Sequence, residues 1–240
     1  MSILLTSDIH LDPKRLDIAK AFDHFLATTA RECESLYLLG DIFEAWIGDD
    51  FSMPFVDQIK SALRAVSDSG VAVYFMHGNR DFLVGQDFCN DIGATLLDDP
   101  TMLEYGGQRI LLMHGDNLCL EDVDYLEFRK MARNPAWQQQ ILSKSIPERI
   151  AIAEQMRNDS QDAMSTKSAD IMDVTVSEVD RLLAKHQADL MIHGHTHRPN
   201  THKQADDKQR IVLGDWDKSL WYLTLDENRD ELAKLIKQPL

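Results

Sequence analysis

Short apolar runs alternate with helix-period segments through the first third of the chain. Ile3 to Ser7 reads as a strand, and Leu16 to Arg31 as a helix with Leu16, Ile18, Ala19, Phe22, Phe25 and Leu26 along one side. Ser35 to Leu39 is a second strand. Pro54 stands where a helix can begin, Ser61 to Val66 continue it, and Ser69-Gly70 end it before a third strand over Val71 to Met76. This βαβαβ order implies parallel strands with right-handed crossovers, so the polar residues after each strand gather at one edge of a sheet.

After Arg80 the pattern changes to short strands, Thr95 to Leu97, Met102 to Tyr105 and Ile110 to Met113, the last two joined by a Gly106-Gly107 hairpin. From Glu121 to about Lys185 only helical signals occur, broken at Asn134-Pro135 and Ser145-Ile146-Pro147. Leu190 to Ile192 returns the chain to the sheet, and strands near Arg210 to Leu213, Leu220 to Leu225 and Leu232 to Ile236 close it. The expected architecture is an α/β sandwich of mixed sheets flanked by helices. Residues 1–120 and 186–240 form its core, and 121–185 an all-helical cap insert.

Composition narrows the function classes. An apolar fraction of 44% over 240 residues supports a real core, while a formal charge of -15 argues against a general nucleic-acid binder. Three widely spaced cysteines, Cys33, Cys89 and Cys119, suit neither a disulfide framework nor a zinc knuckle, which reads as a reducing cytosol. The amino-terminal apolar run lacks the features of a signal peptide, and no segment has the roughly 20 apolar residues that span a bilayer, so any membrane contact is expected to be peripheral. A monomer is expected.

Five polar knots each follow an apolar run: Asp8-Ile9-His10, Gly40-Asp41, Gly78-Asn79-Arg80-Asp81, His114-Gly115-Asp116 and Gly194-His195-Thr196-His197. In Asp8-x-His10 the side chains are two positions apart, so on extended backbone they point to one side and can hold one metal ion; His195-x-His197 repeats the spacing. Imidazole with carboxylate suits Mn, Fe or Zn. His193 and His77, just inside predicted strands, read as near-site or core histidines. The order of the knots resembles the calcineurin-like metallophosphoesterase superfamily over Asp8 to His197. The resemblance implies two metal ions bridged by one Asp. One ion would take Asp8, His10, Asp41 and His197, and the other Asp41, Asn79, His114 and His195. Two cations acidify a shared water and clamp phosphoryl oxygens. Asp81 and Asp116 would orient ligand imidazoles, or serve as ordinary turn or helix-cap residues.

Ester-cleaving members of that superfamily usually carry His where this chain has Arg80. Arg80 cannot donate a proton but can grip a phosphate in a bidentate fork. A phosphate leaving group, with a second pKa of about 6, needs no acid, so Arg80 favours a pyrophosphate over an alkyl ester, unless it only pairs with a neighbouring Asp. Between Arg129 and Arg157 six basic residues (Arg129, Lys130, Arg133, Lys144, Arg149, Arg157) face two acidic ones, Glu148 and Glu154. Interleaved with them are Trp137, Ile141, Leu142, Ile146, Ile150, Ile152 and Met156, which suit a phospholipid-like ligand or an anionic membrane interface, or simply pack the cap against the body.

The runs Asp41 to Asp50, Gly78 to Leu83 and Ser165 to Val174 make the chain similar to the UDP-2,3-diacylglucosamine hydrolase family of the lipid A pathway. That family implies two Mn(2+) ions, a peripheral place on the cytoplasmic face of the inner membrane, and water attack on the α-phosphorus of UDP-2,3-diacylglucosamine to give UMP and 2,3-diacylglucosamine 1-phosphate (lipid X). It also implies catalytic roles for Asp41, Asn79, Arg80, His114 and His195. The head group would contact Asn79, Arg80, Asp122, Tyr125, Ser160, Lys167 and His195, and the acyl chains Trp46, Phe82, Tyr125 and Phe128. Met164 stands where the family commonly has Asn. Two alternatives stay open at this point: a phosphodiesterase or phosphatase on the same scaffold, and a metal-free interaction module.

Overall fold

The computed structural model describes residues 2–166, 171 and 173–240; Lys167 and the side chain of Met164 lie outside the described residues. In chain order the elements are β1 (Ser2–Thr6), α1 (Leu16–Ala27), β2 (Ser35–Leu39), α2 (Pro54–Asp68), β3 (Ala72–Met76), α3 (Gln86–Ile92), β4 (Ala94–Leu97), β5 (Thr101–Tyr105) and β6 (Gln108–Leu112). Then follow α4 (Val123–Ala132), α5 (Pro135–Leu142), α6 (Ile146–Thr166), α7 (Val176–Lys185), β7 (Leu190–His193), β8 (Asn200–Lys203), β9 (Gln209–Val212), β10 (Ser219–Asp226) and β11 (Ala233–Pro239).

The parallel expectation holds: β1, β2, β3 and β4 are parallel neighbours, joined by α1, α2 and α3. The strands do not all return to one sheet, however. β10 and β11 extend the first sheet in the order β11-β10-β1-β2-β3-β4, whereas β7 and β9, with β5, β6 and β8, build a second sheet in the order β5-β6-β7-β9-β8. The knots therefore arrive from two sheets: Asp8, Asp41 and Asn79 beyond β1, β2 and β3, and His114 and His195 beyond β6 and β7.

Side-chain alternation divides each strand between two cores. Ile3 and Leu5, Tyr37 and Leu39, Ile110 and Leu112, and Leu190 and Ile192 meet between the sheets. Leu4, Leu36, Leu38, Val73 and Phe75 face the opposite way and pack with Phe22, Phe25, Leu63 and Phe88 of α1, α2 and α3. Leu111, Met113 and Met191 pack with Val179, Leu182 and Leu183 of α7. Burial on both faces explains why these strands read as continuous apolar runs. Within the insert expected over 121–185, α7 packs on the second sheet, and we refer to α4, α5 and α6 as the cap.

Helix ends follow the sequence signals in the cap. Asn134 Oδ1 accepts from the Ala136 and Trp137 amides at 2.9 and 3.3 Å to open α5, and Glu148 Oε2 accepts from the Ser145 amide at 2.9 Å as α6 begins. The helix expected to reach Arg31 stops at Ala27, followed by a 3-10 turn over Thr29–Glu32. Two elements carry no clear pattern. α3 is only 7 residues long, and β8, Asn-Thr-His-Lys, is an all-polar edge strand paired with β9 alone. Cys33, Cys89 and Cys119 are buried and form no disulfide. Among the described residues no helix is long and apolar enough to cross a membrane.

Candidate dinuclear metal centre

The loops beyond β1 and β2 continue side by side after the strands end. Asp8 N donates to Gly40 O at 3.0 Å, His10 N to Asp41 O at 3.0 Å, and Leu11 N to Ile42 O at 2.9 Å. Along this path Asp8, His10 and Asp41 have φ of 52°, 54° and 53°, and His195 and His197 have 67° and 53°. These are left-handed turns, which non-glycine residues adopt at a cost of about 1–2 kcal/mol each. The extended backbone expected for Asp8-x-His10 is thus replaced by two left-handed residues, which still deliver both side chains to one place. Gly40 and Gly78 allow the knots to touch, since a Cβ on Gly78 would sit 2.2 Å from the Asp41 amide.

Two compact triads result: Asp8 with His10 and His197, and Asp8 with Asp41 and His114, the donor atoms of each within 4.8 Å of one another. Asp8 is the residue the triads share, and Asp41 belongs to the second. Asn79 Oδ1 joins there, 3.0 Å from His114 Nε2 and 2.9 Å from His195 Nδ1. His195 and His197 consequently face different clusters, as the family resemblance divides them and unlike the one-ion pair their spacing alone suggests. His10 Nε2 and His197 Nε2 point at each other across 3.3 Å. The remote nitrogens are fixed elsewhere: His10 Nδ1 lies 3.0 Å from Glu44 Oε2, and His114 Nδ1 is 2.9 Å from Leu39 O.

The electrostatics suit cations. Burial raises the Asp8 carboxyl, but His197, His114 and His10 override it and hold Asp8 far below the usual carboxylate range. Asp41 is raised, by burial first, against the pull of His114 and His10. Burial disfavours a charged His114, yet Asp41, Asp8 and Asp116 hold it up at about 9. His197 is also held up at about 9, its burial outweighed by Asp8 and Asp215. His195 is lowered to about 4 by burial and by His114. A cluster that draws protons onto two imidazoles facing buried carboxylates attracts positive charge in any form, so this oxygen and nitrogen donor set fits divalent metal.

Asp81 does not orient an imidazole. Its Oδ1 accepts from the amides of Gly78 (2.7 Å) and Asp41 (3.3 Å), and its Oδ2 from Ile42 (2.8 Å) and Phe43 (3.4 Å), pinning the two knots together. Asp116 accepts from Tyr125 Oη at 2.6 Å and Arg129 Nε at 2.9 Å, holding α4 to the body. The Tyr125 hydroxyl is thereby engaged, and its ring packs 5.7 Å from that of His195. His193 is fully buried, with Nδ1 2.8 Å from Gly194 O, and His77 Nε2 lies 2.6 Å from Val84 O; neither reaches the donor cluster.

A cavity of about 530 Å³ opens from the donors to the cap. Asn79, Arg80, Asp122, Tyr125, Ser160 and His195 line it, as do Trp46, Phe82 and Phe128, so every described residue expected at the head group or acyl chains borders it. Trp137, Ile141, Ile152 and Met156 line it too, while Leu142 and Ile150 are exposed. Among the described residues the Arg80 guanidinium makes no ion pair, so it does not merely neutralise a neighbouring Asp. The basic stretch behaves otherwise. Arg129 pairs with Asp116, Arg149 with Asp50 and Arg157 with Asp12 and Glu44, and Arg133 donates to Gly78 O at 2.9 Å. Four of its six cations bind cap to body. Sequence reasoning missed Glu44 and Asp49, whose partners are distant in the chain. Asp49 accepts from Trp46 Nε1 at 2.9 Å and from the Gly85 and Phe88 amides at 3.0 and 2.9 Å, setting a cavity wall and the start of α3 together.

The calcineurin-like phosphoesterase family model matches residues 1–199. A Pseudomonas putida (strain F1) protein named UDP-2,3-diacylglucosamine hydrolase is 48% identical over 234 residues, covering 96% of this chain and 98% of its own. Proteins of the same name from Chromohalobacter salexigens and Marinobacter nauticus are 52% and 49% identical, covering 90% and 100% of this chain and 89% and 99% of theirs.

Proposed function

We propose, for a chain that belongs to the calcineurin-like phosphoesterases and within them to the UDP-2,3-diacylglucosamine hydrolases, that it cleaves the pyrophosphate of UDP-2,3-diacylglucosamine in lipid A biosynthesis. Water oxygen bonds to the α-phosphorus, the bond from that phosphorus to the bridging oxygen breaks, and UMP and 2,3-diacylglucosamine 1-phosphate leave. The observation that carries this reading is the Arg80 guanidinium, without an ion pair among the described residues, between a metal-type donor cluster and an apolar cavity. Two Mn(2+) ions would be held by Asp8, His10, Asp41 and His197, and by Asp41, Asn79, His114 and His195, with Asp41 common to both. When bound they supply the charge that acidifies water and stabilises phosphoryl oxygens.

The chain's own residues do the rest. Asp8 takes the His195 amide at 3.0 Å and Asp41 the Arg80 amide at 2.8 Å, so the carboxylates fix the backbone from which His195 and Arg80 reach the substrate. Arg80 forks onto the phosphates and neutralises the departing sugar phosphate, a leaving group that needs no proton. Ser160, Asp122 and Lys167 would contact the head group, with Tyr125 serving as an aromatic wall, its hydroxyl being held by Asp116. Trp46, Phe82, Phe128 and Trp137 would receive acyl chain. In this reading the chain works peripherally on the cytoplasmic face of the inner membrane, where it would meet its lipid substrate, and as a monomer.

With Mn present, the protein should turn over a UDP-lipid pyrophosphate and not a nucleotide phosphodiester; turnover of the diester alone overturns the assignment. In heavy-oxygen water the label should appear in UMP, and label in the sugar phosphate overturns attack at the α-phosphorus.

A further inference from the structure

We infer that Glu44 is a positioning residue that links seating of the cap to one of the two cation sites, through His10 on one side and Arg157 on the other. The inference rests on the dinuclear reading above and goes beyond it. Glu44 lies where the loops beyond β1 and β2 meet: Leu11 and Phe43 form an isolated parallel bridge, and Glu44 N donates to Leu11 O at 3.2 Å. Its side chain is 15% exposed, and its two oxygens have different tasks. Oε2 lies 3.0 Å from His10 Nδ1, and Oε1 lies 3.3 Å from Arg157 Nε on α6.

The Glu44 contact is an ion pair without the alignment of a hydrogen bond, and its charge favours a proton on His10 Nδ1, which leaves the Nε2 lone pair facing His197 and Asp8. The tautomer is then set by a carboxylate that is itself held by the cap. Arg157 has a second anchor, Asp12 Oδ2 at 3.2 Å from Nη1, so two acidic residues, each a few positions beyond a ligand knot, grip the same guanidinium. Moving α6 outward withdraws Arg157 from both and frees Glu44 to rotate away from His10. Seating of α6 and the affinity of the Asp8-His10-His197 site are therefore coupled, and the coupling is reciprocal: the factor by which a seated cap tightens the ion is the factor by which the ion favours the seated cap.

The test uses the whole metal-free protein. Mn(2+) binding is followed by the electron paramagnetic resonance of free Mn(2+), and hydrogen exchange of α6 amides is measured with and without Mn(2+). Wild type should show two sites and slower α6 exchange when loaded. Glu44→Ala should weaken one site by about 10–100-fold, leave the other within about two-fold, and abolish the response of α6. Retention of the second site also reports that this variant is folded. Glu44→Gln keeps an oxygen near His10 but not the charge for Arg157, so α6 should no longer respond, the Asp8-His10-His197 site should weaken by about 5-fold, less than in Glu44→Ala, and the other site should stay within about two-fold. Arg157→Met should weaken the same site as Glu44→Ala, by about 5-fold. The inference is overturned if Glu44→Ala keeps both affinities, or if its α6 exchange still responds to Mn(2+) as wild type does. Failure of the pyrophosphatase reading would appear instead as wild type that binds Mn(2+) and leaves the UDP-lipid intact.

Discussion

Replacing Asp81 by Asn tests whether this carboxylate holds the two knots together. The side chain is fully buried and keeps its volume, so no cavity confuses the result. Oδ1 accepts one short and one long amide contact, 2.7 and 3.3 Å, and Oδ2 does the same at 2.8 and 3.4 Å. Whichever way the new amide turns, its NH2 group faces one short and one long N–H that have lost their acceptor. A hydrogen bond to a charged group contributes about 1.5–3 kcal/mol, and the long contact less, so the loss is about 3 kcal/mol. For a domain of this size that lowers Tm by about 6–12 °C. An opposing effect acts in the metal-free protein, because Asp81 opposes ionisation of Asp41 and its removal relieves a repulsion of about 1–3 kcal/mol. Bound cations cancel that repulsion, so the loss should be full in the Mn-loaded protein and smaller without metal. The assay is thermal unfolding by near-ultraviolet circular dichroism at one fixed Mn(2+) concentration and in chelator. A Tm change below about 2 °C in the loaded protein, or a larger loss in the metal-free one, would refute the role given to Asp81.

Three further outcomes follow from the site. In the metal-free protein His114 and His197 are held up at about 9, so both carry protons at pH 7.5 that cations must displace. Calorimetry in buffers of different ionisation enthalpy should show proton release on Mn(2+) binding and an affinity that climbs up to about pH 9; absence of release contradicts the charge state. Because these folded pKa values lie above the unfolded one of about 6.5, their contribution to metal-free stability is complete below about pH 6.5 and lost as pH rises through about 9. Arg80→Ala should lower kcat by about 100-fold or more with Mn(2+) affinity unchanged, and Arg80→Lys should recover only part because it lacks the planar fork; a change confined to KM would place Arg80 in ground-state binding alone. Ala153 lines the apolar part of the cavity, so Ala153→Trp should raise KM for a long-chain substrate by about 10-fold and spare a short-chain analogue. Equal effects on both would remove the acyl chain from that wall.

Much of this architecture is legible because strands buried on both faces leave apolar runs that end abruptly in polar knots. The spacing of Asp8, His10, Asp41, Asn79, His114, His195 and His197 names the donors without showing how they meet. α3 escapes detection because its first amides are accepted by Asp49, 36 and 39 positions earlier, and no local signal marks a cap that distant. The basic stretch from Arg129 to Arg157 is half legible for a related reason. Charge along the chain does not reveal that Arg129, Arg149 and Arg157 find carboxylates on the body, where they hold the cap.

The left-handed donors show why the knots need Asp81 at all. Five such residues at about 1–2 kcal/mol each amount to a strain comparable with the net stability of a typical domain, about 5–15 kcal/mol. Asp8, His10 and Asp41 cannot relax singly, because the amides of Asp8, His10 and Leu11 are bonded to the carbonyls of Gly40, Asp41 and Ile42, so both loops must move together. That shared movement is what Asp81 blocks, since it holds the amides of Asp41, Ile42 and Phe43 on one side and Gly78 on the other. An imidazole-orienting role would fix one ligand, whereas four backbone contacts fix the frame on which Asp41 and Asn79 stand. Strain concentrated in the donors and restraint concentrated in a residue that binds no ion are two sides of one arrangement: the donor loops stay converged despite their backbone strain, and the frame is assembled before a metal ion reaches it.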